Sequence, residues 1–109
     1  MSKSGIHIQI DKLIKSHDKD KYFNEIKKAA EDGHIDVQHN LATLYYNGEG
    51  TEKSLEKAFY WYQKAAESDD AKAQHNLASL YENGEGIEKN LEKAIYLYQK
   101  AAENRHISA

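Results

Sequence analysis

The chain is 109 residues long, 39% apolar and 30% charged, with a formal net charge of −3, one Trp and neither Cys nor Pro. That length holds one small domain, the missing Cys excludes disulfides, thiolate metal sites and thiol nucleophiles, and the interspersed charges lack the basic stripe that nucleic acid or anionic lipid requires. Leu, Ile, Val and Phe fill only 20 of 109 positions, yet thirteen Ala and eight Tyr supply the packing of closely approaching helices with amphipathic rings between them.

Residues 1–8 contain no apolar core ahead of Asp11 and Lys12, so no secretory signal is read there, and no run approaches the roughly 20 apolar residues of a membrane helix. With no Cys, a cytoplasmic setting is expected. Ile6, Ile10, Leu13 and Ile14 recur as one helical stripe, His17 and Asp18 interrupt it, and residues 19–31 follow as a further helix. Residues 5–32 are thus expected to be a divergent N-terminal helical cap.

From here the chain repeats itself. At an offset of 36 residues, positions 38–67 match 74–103 with 24 identities in 30, broken only at 43, 46, 51, 54, 59 and 61. Phe23, Ile26, Lys28, Ala29, Ala30 and Glu31 echo Phe59, Tyr62, Lys64, Ala65, Ala66 and Glu67 one period earlier. A period of this size is the mark of a repeat architecture, and the boundaries follow as 36–67 for repeat 1 and 72–103 for repeat 2 within a single domain of residues 1–109.

Each repeat divides into two helices. Val37, Leu41, Leu44 and Tyr45, copied as Ala73, Leu77, Leu80 and Tyr81, stand at i, i+4, i+7 and i+8, one apolar face of a first helix, A. Asn47-Gly48-Glu49-Gly50 and Asn83-Gly84-Glu85-Gly86 close it, since glycine adopts the positive φ that ends a helix and turns the chain. Ser54 and Asn90 are suited to cap a second helix, B. Its buried stripe is expected to be Leu55, Ala58, Phe59, Tyr62, Ala65 and Ala66, copied as Leu91, Ala94, Ile95, Tyr98, Ala101 and Ala102. Trp61 and its equivalent Leu97 are expected in the core, and Tyr60 and Tyr96 off it. The turn from B to the next A is expected to hinge on Gly33 in one unit and on Asp70 in the next. One helix pair cannot bury both stripes, whereas pairs stacked side by side can. The fold expected is therefore all-α, an α-solenoid of antiparallel helix pairs with about two full 36-residue repeats behind the N-terminal cap.

The residues from Asn40-Leu41-Ala42 through Leu44-Tyr45, Gly48 and Gly50, then Glu52-Lys53, Glu56-Lys57-Ala58, Trp61-Tyr62 and Lys64-Ala65-Ala66, resemble the Sel1-like repeat, a tetratricopeptide-related unit with a longer A-to-B turn. Asn76 to Ala102 resembles it again, and the likeness spans about residues 19–107. Ala42 and Ala78 depart from it, standing where that family often has Gly. The resemblance implies a scaffold or adaptor that binds other proteins and has no chemistry of its own, outside the family's cysteine-rich branch.

A search for chemistry agrees with that implication. His39 and His75 are repeat equivalents, yet neighbouring helices about 8 to 10 Å apart hold them too far apart to share one zinc. No serine lies in a nucleophile elbow and no Gly-rich loop joins a strand to a helix. Glu52-Lys53, Glu56-Lys57, Glu88-Lys89 and Glu92-Lys93 read as a solvated helix surface. The chain is accordingly read as non-enzymatic, with no cofactor and no metal.

The A helices of a stacked solenoid line its concave wall. The candidate partner-binding residues are His39, Asn40, Thr43 and Tyr46 with their equivalents His75, Asn76, Ser79 and Glu82, and the partner expected is a protein or peptide segment. The alternative is self-assembly, a homodimer stacked through terminal helices with Leu97 and Ala101 as contacts, or a C-terminal piece of a larger signalling protein.

Overall fold

The computed structural model describes residues 19–108, with side chains through 105. Within them stand five helices and no strand: α1 through residues 19–31, α2 Ile35–Asn47, α3 Leu55–Glu67, α4 Ala71–Asn83 and α5 Leu91–Ser108. The pairs α2–α3 and α4–α5 are the two A–B hairpins, and α1 is a lone B helix packed on α2. The expected stripe of Ile6, Ile10, Leu13 and Ile14, with most of the 5–32 cap, lies outside the described residues.

Local chemistry sets the helix ends. Gly48 and Gly84 close α2 and α4 with φ of 70° and 65°, returning their N–H groups to Leu44 and Leu80 carbonyls. Gly50 and Gly86 follow with φ of 74° each. The turn is tied shut when the Ser54 N–H donates to the Tyr45 carbonyl and the Asn90 N–H to the Tyr81 carbonyl, both at 2.9 Å. The side chains of Ser54 and Asn90 then cap the B helices, accepting from the N–H of Lys57 at 3.2 Å and Lys93 at 3.0 Å, which satisfies donors that no intrahelical carbonyl reaches.

The stripes bury as their period requires. Leu41, Ala42, Ala58, Ala65, Ala73 and Ala78 have no accessible surface, and Leu77 keeps 1%. Trp61 is buried at 7%, while Tyr60 and Tyr96 are more than half exposed. Ala at the closest approaches lets the helices meet backbone to backbone, and the tyrosines fill what remains. Lys57 and Lys93 lay their ammonium groups over the rings of Tyr45 and Tyr81 at 5.4 and 5.3 Å, so the identical pair recurs in both units.

Successive units are joined by a second recurring set. Phe23 meets Tyr45 edge to face at 5.5 Å, and Phe59 meets Tyr81 likewise at 5.7 Å. Beside each ring pair a buried glutamine crosses the joint: Gln38 Nε2 donates to the Ala30 carbonyl at 3.0 Å, and Gln74 Nε2 to the Ala66 carbonyl at 3.1 Å. Asn104 Nδ2 on α5 donates to Gln74 Oε1 at 2.7 Å, so both ends of that amide are engaged.

Three expectations are corrected. The B-to-A hinge of the second unit is Asp69, with φ 65° in the place of Gly33 at 100°. Asp70 is the N-cap of α4, its carboxylate accepting from the Ala73 N–H at 2.9 Å, because 36 residues before it stands His34. The expected buried stripe of α5 is only half covered: Ala94 and Ala101 are buried at 2% each, but Leu91 and Ile95 are 53% and 58% exposed and Ala102 is exposed. No A helix lies over that side among the described residues. Ala101, offered as a self-association contact, is therefore spent inside its own chain, and Leu97 is half-buried against the core, so neither stands free on the outer face.

Two stability outcomes follow from these joints. A Cβ on Gly86 would lie 2.7 Å from the Leu55 Cβ, whereas one on Gly50 meets nothing within 4 Å. Gly50→Ala should cost only its positive-φ penalty, about 1 to 2 kcal/mol, and Gly86→Ala clearly more, because Leu55 must shift as well; equal costs by denaturant unfolding would contradict that packing. Gln74→Leu should lose about 1 to 3 kcal/mol through its buried hydrogen bonds despite adding apolar surface, and a neutral or stabilising result would mean that the amide does not hold the joint.

Candidate functional site

The A helices α2 and α4 carry the eight candidate residues at equivalent turns. Where they face each other across α3, Tyr46, Asn76, Ser79 and Leu80 close with Tyr62 round a cleft of about 140 Å³. Three candidates, Tyr46, Asn76 and Ser79, thus share one wall. Both tyrosines of the cleft belong to the first unit: Tyr46 comes from α2 and Tyr62 from α3.

The hydroxyls of the site are fixed in place. Tyr62 OH and Thr43 Oγ1 stand 2.7 Å apart, and Thr43 also donates to the His39 carbonyl at 3.2 Å. Tyr46 OH donates to Glu85 Oε2 of the next unit at 2.9 Å, while Lys53 Nζ lies 5.7 Å from its ring centre. Tyr98 OH donates to Glu82 Oε1 at 3.0 Å. Burial pushes the Tyr62 phenol above the usual tyrosine range, with the Thr43 hydroxyl pulling weakly the other way. Tyr46 is raised first by its hydrogen bond to the Glu85 carboxylate, and Tyr98 by burial and then by Glu82. Each carboxylate favours the neutral phenol, because only that form donates to it.

The two histidines divide. His39 turns away from the cleft into the joint between units, its Nδ1 3.5 Å from Asp70 Oδ2 and its side chain only 14% exposed. His75 is exposed and packs edge-on to Tyr98 at 5.2 Å. Among the described residues neither the Asn40 nor the Asn76 side-chain amide has a hydrogen-bond partner, whereas Thr43, Tyr46, Ser79 and Glu82 are each hydrogen-bonded. Asn40 is exposed and Asn76 half-buried at the cleft. Each therefore offers two N–H donors and a carbonyl acceptor to a ligand, the set that an extended peptide backbone pairs with.

The residues that the sequence did not single out for the site are Glu85, Tyr62 and Leu80. Glu85 reads as part of a turn, Tyr62 and Leu80 as core, and each is both. Among the described residues no group of three or more His, Asp or Glu side chains is placed to hold a metal ion, and no helix there is long and apolar enough to cross a membrane.

The raised phenols predict an alkaline limit. A group whose folded pKa lies above its unfolded value of about 10 stabilises the fold fully below that pH and loses the contribution as pH rises through the folded value. The melting temperature should fall above pH about 10, and Tyr62→Phe should flatten that fall while costing about 1 kcal/mol at neutral pH for the lost hydroxyl contact. An unchanged alkaline slope in the variant would remove Tyr62 from the account.

Comparison with known proteins gives one family model, described as Sel1 repeat, matching residues 35–70 and 71–106. None of the curated proteins matches the chain. Among solved structures it is similar to a Sel1 repeat protein from Oxalobacter formigenes, at 35% identity over 79% of this chain with a TM-score of 0.75. It is similar to c5321, a protective antigen of uropathogenic Escherichia coli displaying an SLR fold, at 34% over 74% with a TM-score of 0.72. The Helicobacter pylori cysteine rich protein B aligns at 30% over 77% with a TM-score of 0.73, although this chain has no Cys. The chain spans 35%, 17% and 63% of those three, less than two thirds of each.

Proposed function

The chain belongs to the Sel1 repeat family, a family of non-catalytic scaffolds that generally mediate protein–protein interaction, and from that premise we propose that it is an adaptor whose A-helix groove holds an extended segment of a partner protein. The observation that carries this reading is the pair of equivalent asparagines, Asn40 and Asn76, one unit apart with unspent amides. Thr43, Tyr46, Ser79 and Glu82 are already hydrogen-bonded within the chain, so the two asparagines are the amides that a peptide main chain would meet. Tyr46 adds apolar area beside Asn76, and Glu85 accepts its hydroxyl at 2.9 Å, which fixes the ring at the cleft. Recognition of this kind couples main-chain hydrogen bonds to one side-chain pocket, and the cleft of about 140 Å³ suits a small or medium side chain. The lack of Cys suits a reducing, cytoplasmic setting.

The test is a displayed library of random peptides selected on the wild-type chain, with the selected peptides then measured on Asn40→Ala/Asn76→Ala. The double variant should keep its melting temperature within a few degrees, since Asn40 is exposed and neither amide is hydrogen-bonded among the described residues, and substitutions that break no such bond cost little. It should bind the selected peptides at least about tenfold more weakly, the loss of one or two hydrogen bonds. Equal binding by both would remove the groove from the account.

A further inference from the structure

The B helices bear one face three times over, and nothing lies over its third copy among the described residues. On α1 and α3 the next A helix lies against it, through the ring pairs Phe23–Tyr45 and Phe59–Tyr81 and the amide bonds to Ala30 and Ala66. Those two alanines are 1% and 7% exposed. On α5 the same positions are Leu91, Ile95, Tyr98 and Ala102: Leu91 and Ile95 are 53% and 58% exposed, Ala102 is exposed and Tyr98 half-buried. The backbone differs as well. Where α3 bends at Ser68 and Asp69, α5 stays helical through residue 104 and on to Ser108, so the turn that swings an A helix onto this face is not made there.

We propose that a second copy of this chain covers that face, α5 packing antiparallel on its symmetry mate. The stripe is self-complementary about a two-fold axis between Ile95 and Tyr98. Ile95 then meets the mate's Tyr98 position and Leu91 meets its Ala102 position, large against small at both ends, as an isologous contact requires. Along one edge Glu92 and Gln99, both exposed, stand two helical turns apart. The same axis brings the Gln99 amide of one copy within about two residues' rise, roughly 3 Å, of the Glu92 carboxylate of the other. A single helix face is a small interface, and the association is therefore weak.

Sedimentation equilibrium of the 109-residue chain from micromolar to millimolar tests this. The mass should rise from 12.5 kDa to twice that value and stop. Ile95→Glu should hold the monomer mass with an unchanged helical circular-dichroism spectrum, because the side chain is solvent-exposed. Gln99→Glu, which sets like charges across the edge, should weaken association about tenfold, and Glu92→Lys/Gln99→Glu should restore it. A monomer throughout overturns the proposal, as does association indifferent to Ile95→Glu. Masses growing beyond the dimer would assign the face to head-to-tail stacking, and failure of the double exchange to restore what Gln99→Glu loses would overturn the antiparallel arrangement.

Discussion

Everything else in this molecule rests on the joint between a B helix and the A helix that follows. Within a hairpin the contacts are local, with ends tied by the Ser54 and Asn90 backbone bonds and a tight glycine turn, and such a pair would form and fray by itself. The joint is what gives the pairs a common core. It combines an aromatic edge-to-face contact with a glutamine amide that enters the apolar layer only because a last-turn carbonyl of the B helix, Ala30 or Ala66, is there to receive it. A buried amide without that acceptor would cost a few kcal/mol. The contact therefore also fixes register: a slip of one residue along the B helix would strand the amide.

The groove follows from that register. With A helices held at one period, Asn40 and Asn76, Thr43 and Ser79, Tyr46 and Glu82 fall at equivalent points of one wall, and α3 behind them contributes Tyr62 to the cleft. Helices place nearly all of it. Every position in it is helical except Glu85, which the Gly84 turn brings up to the Tyr46 hydroxyl. On the proposed reading, specificity would be set by which side chains occupy these helical points.

How far the sequence discloses this depends on what each residue touches. Helix periods, glycine turns and caps are read directly, because each is settled within a few residues: Gly48 and Gly84 do take positive φ, and Ser54 and Asn90 do cap. Contacts across the joint are harder. Gln38 and Gln74 stand beside the apolar stripe as one polar residue unchanged across the repeat, and that identity is the sole sign of their burial at 5% and 3%. Asp69 escapes notice because a non-glycine at φ 65° is uncommon, although it stands one 36-residue period after Gly33. The outer face of α5 misleads for the opposite reason: its pattern copies a buried stripe, while among the described residues no helix lies over it. Of the groove, the wall was legible from periodicity and the engaged hydroxyls were not, since Thr43 and Tyr62 are 19 residues apart and nothing local pairs them.

Three of the six positions at which the near-identical repeats differ have a physical reading. Ser54 and Asn90 exchange one N-cap for another at no cost to the helix. Phe59 has Tyr81 to pack against, while Ile95 has no such ring and carries a smaller side chain. Tyr46 and Glu82 differ most in chemistry, and they bond in different directions: Tyr46 reaches forward to Glu85 of the next unit, whereas Glu82 accepts from Tyr98 of its own. A tyrosine at 82 would find no next turn to bond among the described residues, and a glutamate at 46 would face Glu85 as a like charge. The repeats differ along the A-helix wall as well as at Phe59/Ile95 and Trp61/Leu97, and the wall has a direction, with an aromatic first position and an acidic second. A segment lying along it would be read differently at its two ends, which a strictly periodic surface could not do.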